Sequence, residues 1–345
     1  MADTAAGLTV SPVVARPALP ARGPWATAMA ILLQNRAAMS ALFVLLCIIA
    51  ACLAAPLYAH QIAHVDAFQS NVDGEIDIDG TTVAVLEPNT EGLGLGVTPI
   101  GPTGRFATYW LGADSQGRDV FARLLYGGRN SLMIAGIATV ICLSMGVLVG
   151  ITAGFFGGLI DTGLSRLLDI LWAFPVFLLA ISLSVVLIHG VQLGPLSFDS
   201  GSLVLPILII SCVYIPYVAR PVRAQVLTLK HSDFVLAAIG IGVPSARILW
   251  RDILPNVMTT AVVFIPLMMV MNIGLESALS YLSVGVQAPD ASWGTIIEDG
   301  QGLLYSRPWV ALAPGIAIAL TVLCLNILGD GVRDAFDPRS QVRPG

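Results

Sequence analysis

Six apolar segments, each meeting or approaching the length of a membrane span, constrain this chain more than any other feature. They cover approximately residues 37–58, 131–155, 167–188, 203–217, 257–284 and 309–328. Roughly 20 mostly apolar residues are needed for a helix to cross a bilayer. Charged residues make up only 11% of the chain, against about 25% in an ordinary soluble domain. We therefore predict an all-α membrane protein with six transmembrane helices, the fourth punctuated by Pro206 and Pro216, which neighbouring helices can accommodate.

The distribution of lysine and arginine predicts the orientation of these spans. With the N-terminus in the cytoplasm, the inner segments hold twelve basic residues: Arg16, Arg22, Arg36, Arg166, Arg220, Arg223, Lys230, Arg247, Arg251, Arg333, Arg339 and Arg343. The outer segments hold only Arg105, Arg118, Arg123, Arg129 and Arg307. Because cytoplasmic loops are enriched in positive charge, both termini are expected in the cytoplasm, as an even number of spans requires.

The acidic balance, a net charge of −5, gives no support for nucleic-acid binding.

The spans divide the chain into five regions. Residues 1–36 are expected to be a disordered cytoplasmic tail, 37–58 the first span and 59–129 an extracytoplasmic insertion. Residues 130–329 would form a core of five further spans that includes a cytoplasmic loop at 231–256, and residues 330–345 a cytoplasmic tail. The insertion holds nine acidic residues and four arginines, so it carries the whole net charge.

The insertion is long enough to need structure of its own. Between residues 75 and 86, apolar and polar side chains alternate on both sides of Asp79-Gly80, which predicts a β-hairpin. A calcium loop is the alternative, but its twelfth position would be Leu86 rather than a glutamate. An amphipathic helix is expected to follow Gly117-Arg118-Asp119 on the outer surface, with Arg123 and Arg129 facing headgroups or a partner loop.

Metal and cofactor sites find little support in the sequence. His60 and His64 are four residues apart and could share a helix face, but no third ligand lies nearby. The five cysteines all fall within apolar runs without metal-ligand or disulfide spacing, which is typical of buried thiols. We therefore predict no metal and no cofactor.

A polar stretch from residue 233 to residue 256 separates two apolar spans. The Gly242-Val-Pro244 break divides it into two short helical pieces, because glycine permits positive φ and proline ends one helix and starts another. Small residues in the first piece would allow another surface to approach the backbone closely. From the residues alone, a docking surface and a plain cytoplasmic connector are both open.

This stretch resembles the EAA loop of permease subunits of ABC importers, in which the loop forms a helix that docks on the ATPase. The Ala-Ala pair, the glycine and the Ile-x-x-x-x-x-Leu-Pro ending are all present. Two positions depart from the family pattern: Leu236 stands at the acidic position and Asp252 where a histidine is often found. The resemblance implies ten residues that couple to the ATPase, namely Asp233, Ala237, Ala238, Gly242, Pro244, Arg247, Ile248, Arg251, Leu254 and Pro255.

Four further stretches resemble the dipeptide, oligopeptide and nickel branch of these permeases, in its C-type subunit. They are LGADSQGRDVFARLLYGGRNSL at 111–132, LSRLLDILWAFPVFLLAI at 164–181, ESALSYLSVGVQAPDASWG at 276–294, and residues 308–339. The resemblance implies a type I importer permease fold with a MetI-like core. It also implies four kinds of partner: a homologous second permease, two ATPase subunits, an extracytoplasmic binding protein and the lipid bilayer. Peptides would be the cargo, with nickel or glutathione as alternatives.

Two charged positions inside apolar segments are also singled out. Glu276 lies in the fifth span, where an acid either tethers helices through hydrogen bonds or lines a passage. Arg166 and Asp169 are three residues apart on one helix face and could pair with each other.

No catalytic constellation is present, so we expect ATP hydrolysis on separate subunits and no enzyme activity in this chain. There is no Gly-x-x-x-x-Gly-Lys-Ser/Thr loop for phosphate. An ATP-independent secondary carrier or channel is the rival class. It would require broken inverted repeats or an intramembrane proton relay, and the sequence suggests neither.

Overall fold

A computed structural model describes residues 24–336 except 79, 90–95, 188–189, 194–195 and 199–200. Twelve α-helices lie in this part of the chain: α1 Pro24–Gln34, α2 Arg36–Leu53, α3 Ala55–Leu57, α4 Val120–Phe156, α5 Gly158–Ala173, α6 Val176–Leu187, α7 Val204–Lys230, α8 Asp233–Gly240, α9 Ser245–Ile248, α10 Leu254–Tyr281, α11 Trp293–Gly300 and α12 Trp309–Phe336. Three short two-stranded sheets lie between helices, and the largest hydrophobic core forms where α4, α6, α7 and α10 meet.

The number of spans depends on how α5 and α6 are counted. Within the described residues, five helices are long and apolar enough to cross a membrane, or six when α5 and α6 form one bent span. These two helices are bent by 92° at the break between Ala173 and Val176. Pro175 explains the break, because proline has no N–H and forces the preceding Phe174 out of the helical region, to φ −89° and ψ 139°. The third predicted span is therefore a broken helix.

The N-terminal residues from 24 to 34 do not fit the expected disordered tail. They form α1, whose Trp25 ring meets Phe336 of α12 edge to face at 5.1 Å. Asn35 then starts α2, with its side chain accepting a hydrogen bond from the Ala38 N–H at 3.1 Å. The prediction of disorder is wrong for this segment, because an uninterrupted apolar run, Ala28 to Leu33, finds a partner helix distant in sequence.

Helices α4 and α7 pack closely along a stripe of glycines. Gly146, Gly150 and Gly154 recur every fourth residue on α4 and face the α7 segment from 218 to 226. A Cβ added at Gly150 would lie 2.6 Å from the Ala219 carbonyl oxygen. Small residues at this spacing let two helix backbones approach each other, so α4 and α7 form a rigid pair.

The insertion after α2 is built from hairpins. Strand β1 (Glu75–Ile78) pairs antiparallel with β2 (Thr81–Ala84), at the hairpin predicted from the alternation, although Asp79 lies outside the described residues. Strand β3 (Leu86–Pro88) pairs with β4 (Val97–Pro99), while β5 (Val191–Leu193) and β6 (Leu196–Phe198) form a third hairpin between α6 and α7. We call this end of the helical bundle the hairpin end.

The predicted surface helix after Asp119 is not a separate element. The helix that begins at Val120 continues without a break to Phe156, as a single helix of 37 residues. Asp119 is its N-cap and accepts a hydrogen bond from the Ala122 N–H at 2.8 Å. Burial raises the pKa of the Asp119 carboxyl to about 6, although backbone N–H groups oppose the shift.

A buried group of charges, which we name the outer charge cluster, joins α4 to α11. It consists of Asp114, Arg118, Arg123 and Asp299. Both guanidinium groups donate to Asp299 Oδ2, from Arg118 at 3.0 Å and from Arg123 at 2.7 Å. Arg118 also donates to Asp114 at 2.7 Å, and the side chain of Arg123 is 3% exposed. The expectation that Arg123 faces headgroups or a partner loop is therefore wrong, because it is buried and pairs with an acid 176 positions away in the same chain.

Candidate coupling surface

The polar stretch between α7 and α10 folds as two short helices around a glycine corner. Two residues, His231 and Ser232, separate α7 from α8, and the Ser232 hydroxyl donates to the Leu229 carbonyl at 2.6 Å. Gly242 has φ +78° and Pro244 is the extended N-cap of α9. Positive φ favours glycine, so the corner requires this residue. A π-helical turn, Leu249–Ile253, then leads into α10. We call this end of the bundle the loop end.

Burial separates the ten candidate residues into three groups. Seven are exposed: Asp233, Ala237, Gly242, Pro244, Arg247, Arg251 and Pro255. Ala238 and Leu254 are half-buried and pack against the protein's own core. Ile248 is 2% exposed, so it is unavailable to a partner and anchors the loop instead. Ile253 is fully buried as well, so it anchors the loop in the same way.

Large apolar side chains outside the ten candidate residues are exposed on the same stretch. They are Phe234, Leu236, Ile239, Ile241 and Trp250, which we call the apolar patch. Ile241 is 82% exposed and Trp250 is 69% exposed. Large apolar side chains exposed outside a membrane span are typical of an interaction site. The sequence alone could have identified this patch, because its residues are apolar within a stretch that is too short and too polar to span a membrane.

The loop is held firmly to the bundle. Val235 of α8 is fully buried in the main core. The Lys230 ammonium at the end of α7 donates to the Phe155 carbonyl of α4 at 2.8 Å, which also satisfies a carbonyl at a helix C-terminus. Gln225 of α7 donates to the Asn256 carbonyl of α10 at 3.2 Å. A force applied to the apolar patch would therefore be transmitted to α4, α7 and α10.

Comparison with known proteins identifies the family. The description "Binding-protein-dependent transport system inner membrane component" matches residues 146–342, which include the whole loop. The protein is a member of this permease family. A second description, "N-terminal TM domain of oligopeptide transport permease C", matches residues 23–73. The resemblance seen in the sequence is confirmed.

Named relatives of this permease cover two thirds of it. It is 38% identical to the dipeptide transport system permease protein DppC of Alkalihalophilus pseudofirmus over 236 residues, 68% of this chain and 74% of that one. It is 39% identical to the oligopeptide transport system permease protein OppC of Bacillus subtilis over 231 residues, 67% and 72% of the two chains. The glutathione transport system permease protein GsiD of Pectobacterium atrosepticum is 36% identical over 236 residues, 68% and 74%.

A solved structure is also similar in outline. The inward-facing MetNI methionine ABC transporter aligns with 61% of this permease and 95% of its own chain, at 18% identity and a TM-score of 0.48. This likeness is too weak to carry an argument alone. Family membership is what establishes a multi-pass inner-membrane permease. The helical membrane part and the small hairpin insertion are seen in the structure itself.

Glu276 of this permease is fully surrounded by hydroxyl groups. It is 1% exposed, and the Ser280 hydroxyl donates to its Oε1 at 2.8 Å. Hydroxyls of Ser131 and Ser292 also bond its carboxyl group. These serines belong to α4 and to the N-cap of α11. Of the two predicted roles, this arrangement favours a tether between α10, α4 and α11.

Replacing Glu276 by glutamine is expected to destabilise the permease by about 1–3 kcal/mol, because an acceptor oxygen becomes a donor that faces hydroxyl donors. Glu298→Gln is the control, since Glu298 is exposed on α11. Thermal unfolding in detergent measures both. If Glu276→Gln matched Glu298→Gln in stability and changed only transport, Glu276 would be a passage residue rather than a tether.

The predicted pair of Arg166 with Asp169 is replaced by a pair between α5 and α7. Asp169 does not take Arg166 as its partner, but accepts a hydrogen bond from Arg220 of α7 at 2.8 Å. Among the described residues, no three or more His, Cys, Asp or Glu side chains form a group suited to a metal ion, and His60 and His64 belong to no such group.

Proposed function

We propose that this permease forms half of the translocation pathway of an ATP-driven peptide importer and receives the force of ATP hydrolysis through the loop at 231–256. The observation that carries the proposal is the apolar patch on a firmly anchored loop. Exposed Ile241 and Trp250 supply a contact surface, while buried Val235, Ile248 and Ile253 prevent the loop from yielding. A coupling element needs both properties, because a partner can move the bundle only through a rigid contact.

Four kinds of partner follow from this role. A homologous second permease completes the pathway, two ATPase subunits bind the loops, and a binding protein delivers cargo at the hairpin end. The lipid bilayer surrounds the spans. The loop end is then cytoplasmic, because nine of the ten basic residues from Arg166 onward, all but Arg307, lie in segments that this orientation places inside. Both termini then lie in the cytoplasm, and ATP hydrolysis takes place on the partners.

Peptides are the cargo that the relatives favour. Two of the named relatives carry dipeptide or oligopeptide in their names, and glutathione is itself a small peptide. We infer a short peptide rather than nickel. Uptake of radiolabelled dialanine, trialanine, glutathione and nickel into proteoliposomes separates these cargoes.

Retention of an ATPase subunit distinguishes an importer from an ATP-independent carrier or channel. The permease, co-expressed with the genes that neighbour its own, is expected to retain an ATPase subunit through purification in mild detergent. An isolated permease that transports peptide without any ATPase would favour the rival class.

Ile241→Asp is expected to abolish ATPase retention and peptide uptake, with a loss of binding of at least about tenfold. The reason is that docking would bury an unpaired carboxylate. Leu159→Asp is the matched control, since Leu159 is 92% exposed at the loop end but lies on α5, outside the patch. Co-purification and uptake are measured for both variants. Equal retention of the ATPase by the two variants would remove the coupling assignment.

A further inference from the structure

Helix α5 is attached to the bundle in an unusual way. Within α5, all of which the structure describes, Leu168 alone is buried. The helix starts at Gly158, directly after Gly157, where φ is +57° and +67°, and ends at the bend before Pro175. Residues that absorb large backbone changes at element ends are typical hinges. Helix α5 therefore lies between two candidate hinges, without a packed apolar face of its own.

Charged and aromatic side chains of α7 hold α5 in place. Arg223 donates to Asp161 through two nitrogens, at 2.5 Å and 2.7 Å. The Asp161 carboxylate also accepts a hydrogen bond from Ser165 at 3.1 Å, which orients it toward α7. Two parallel N–H···O bonds give this pair directional strength. Its side chains are 32% and 19% exposed, so water screens it only partly.

A second contact lies farther along the same two helices. Arg220 donates to Asp169 at 2.8 Å and lies 4.3 Å above the Trp172 ring. Trp172 in turn stacks on Tyr217 of α7, with ring centroids 4.5 Å apart. The Arg220–Asp169 pair is more exposed than the first, at 37% and 55%, so we assign it a supporting role.

The contrast with α4 shows why these contacts matter. Helix α4 packs on α7 through its glycine stripe and cannot move independently. Helix α5 meets α7 through side chains only, and α7 leads into α8 after two residues. The Asp–Arg contacts are therefore a direct route by which motion of the coupling loop reaches α5.

We propose that α5 is a hinged arm that follows the coupling loop, and that the bidentate Arg223–Asp161 pair is the link that makes it follow. The proposal rests on the function inferred above and names the residues that transmit its force. Arg223 and Asp161 are positioning residues, since neither lies on the apolar patch. When the ATPases move α8 and the end of α7, the link turns α5 about Gly157–Gly158 and changes the bend at Pro175.

A charge swap tests the link. Arg223→Ala and Asp161→Asn are each expected to lower trialanine uptake per ATP hydrolysed by about tenfold, the factor expected when one charge-assisted bidentate pair is lost. The double variant Asp161→Arg with Arg223→Asp should restore most of the lost uptake per ATP hydrolysed. Arg166→Ala is the control, since Arg166 is exposed on α5 and makes no ion pair with a described residue.

A distance measurement separates force transmission from a purely structural role. Spin labels at Gly163→Cys on α5 and Asp330→Cys on α12 are placed in a background whose five native cysteines are replaced. Their separation is expected to change between nucleotide-free and vanadate-trapped transporter, and to stay constant when Arg223→Ala is added. All variants are compared after confirming that the ATPase subunits are retained.

Two results would overturn the proposal. The first is a ratio of trialanine uptake to ATP hydrolysis in either single variant that equals the wild-type ratio. The second is a charge-swap variant whose ratio stays as low as that of the single variants. Loss of ATPase retention by the unaltered permease would instead contradict the proposed function, so the two failures can be told apart.

Discussion

Arg123→Met is expected to destabilise the permease by about 3–5 kcal/mol, the cost of removing one partner from a buried ion pair. The carboxylate of Asp299 would keep only Arg118, and that of Asp114 would lose a neighbouring positive charge. Both acids lie in the protein interior or close to it, with 21% and 1% of their side chains exposed. Water therefore cannot fully replace the missing guanidinium. The same change also removes one of the contacts between α11 and the start of α4, so the hairpin end should unfold first.

Arg129→Met is the matched control for this prediction. Arg129 lies on the same helix, fewer than two turns farther along, and is exposed. Its loss is expected to change the stability by less than about 0.5 kcal/mol, as for other surface substitutions. Thermal unfolding in detergent, followed by the reaction of the buried thiols of Cys142 and Cys52 with a fluorescent dye, measures both variants. Equal midpoints for the two variants would show that the outer charge cluster contributes nothing to the fold.

The second large effect is expected for Gly150→Leu in the α4–α7 contact. A Cβ there meets the Ala219 carbonyl oxygen at 2.6 Å and Val222 side-chain carbons at 2.7 and 2.8 Å. A backbone oxygen cannot turn away as a side chain can, so the two helices must separate. Overpacking of a core costs about 1–3 kcal/mol and occasionally more, and we expect a loss at or above about 3 kcal/mol here.

Gly136→Leu provides a control on the same helix. A Cβ at Gly136 meets no atom within 4 Å. Both substitutions add the same side chain and remove the same flexible residue from a helix, so their difference isolates the contact with α7. The measurements are the yield of folded protein, by size-exclusion chromatography, and the midpoint of thermal unfolding. A Gly150→Leu variant as stable as Gly136→Leu would show that α4 and α7 do not pack as a rigid pair.

Local signals in the chain were sufficient for much of this fold. Five apolar runs of span length became long helices, because hydrophobic length is a property of consecutive residues. The hairpin at β1 and β2 was also readable, since alternation on both sides of a turn is local. The third span was predicted as continuous although Pro175 was visible, because prolines inside spans are often accommodated. Here Pro216 of α7 stays within its helix while Pro175 ends one.

The candidate site, like the fold, was only partly predictable from the sequence. The stretch 231–256 was located by its motif, and the corner at Gly242 has the positive φ that its residue type suggests. Which side chains face outward was not predicted correctly, since Ile248 was assigned to the partner and lies in the core. The apolar patch around Ile241 was missed. Exposure depends on how α8 and the π-helical turn rotate against α7 and α10, and no local pattern specifies that rotation.

By itself, the sequence determined that the chain is a membrane permease, where its apolar runs lie and where the loop motif of the family lies. These properties follow from the length, order and chemistry of neighbouring residues. Only the tertiary structure decided that Arg123 pairs with Asp299, that α1 packs on α12, and that Arg223 holds α5 by Asp161. The partners in these contacts are far apart in the chain. Their pairing results from packing the helices together, which brings buried charges within reach of the few groups that can compensate them.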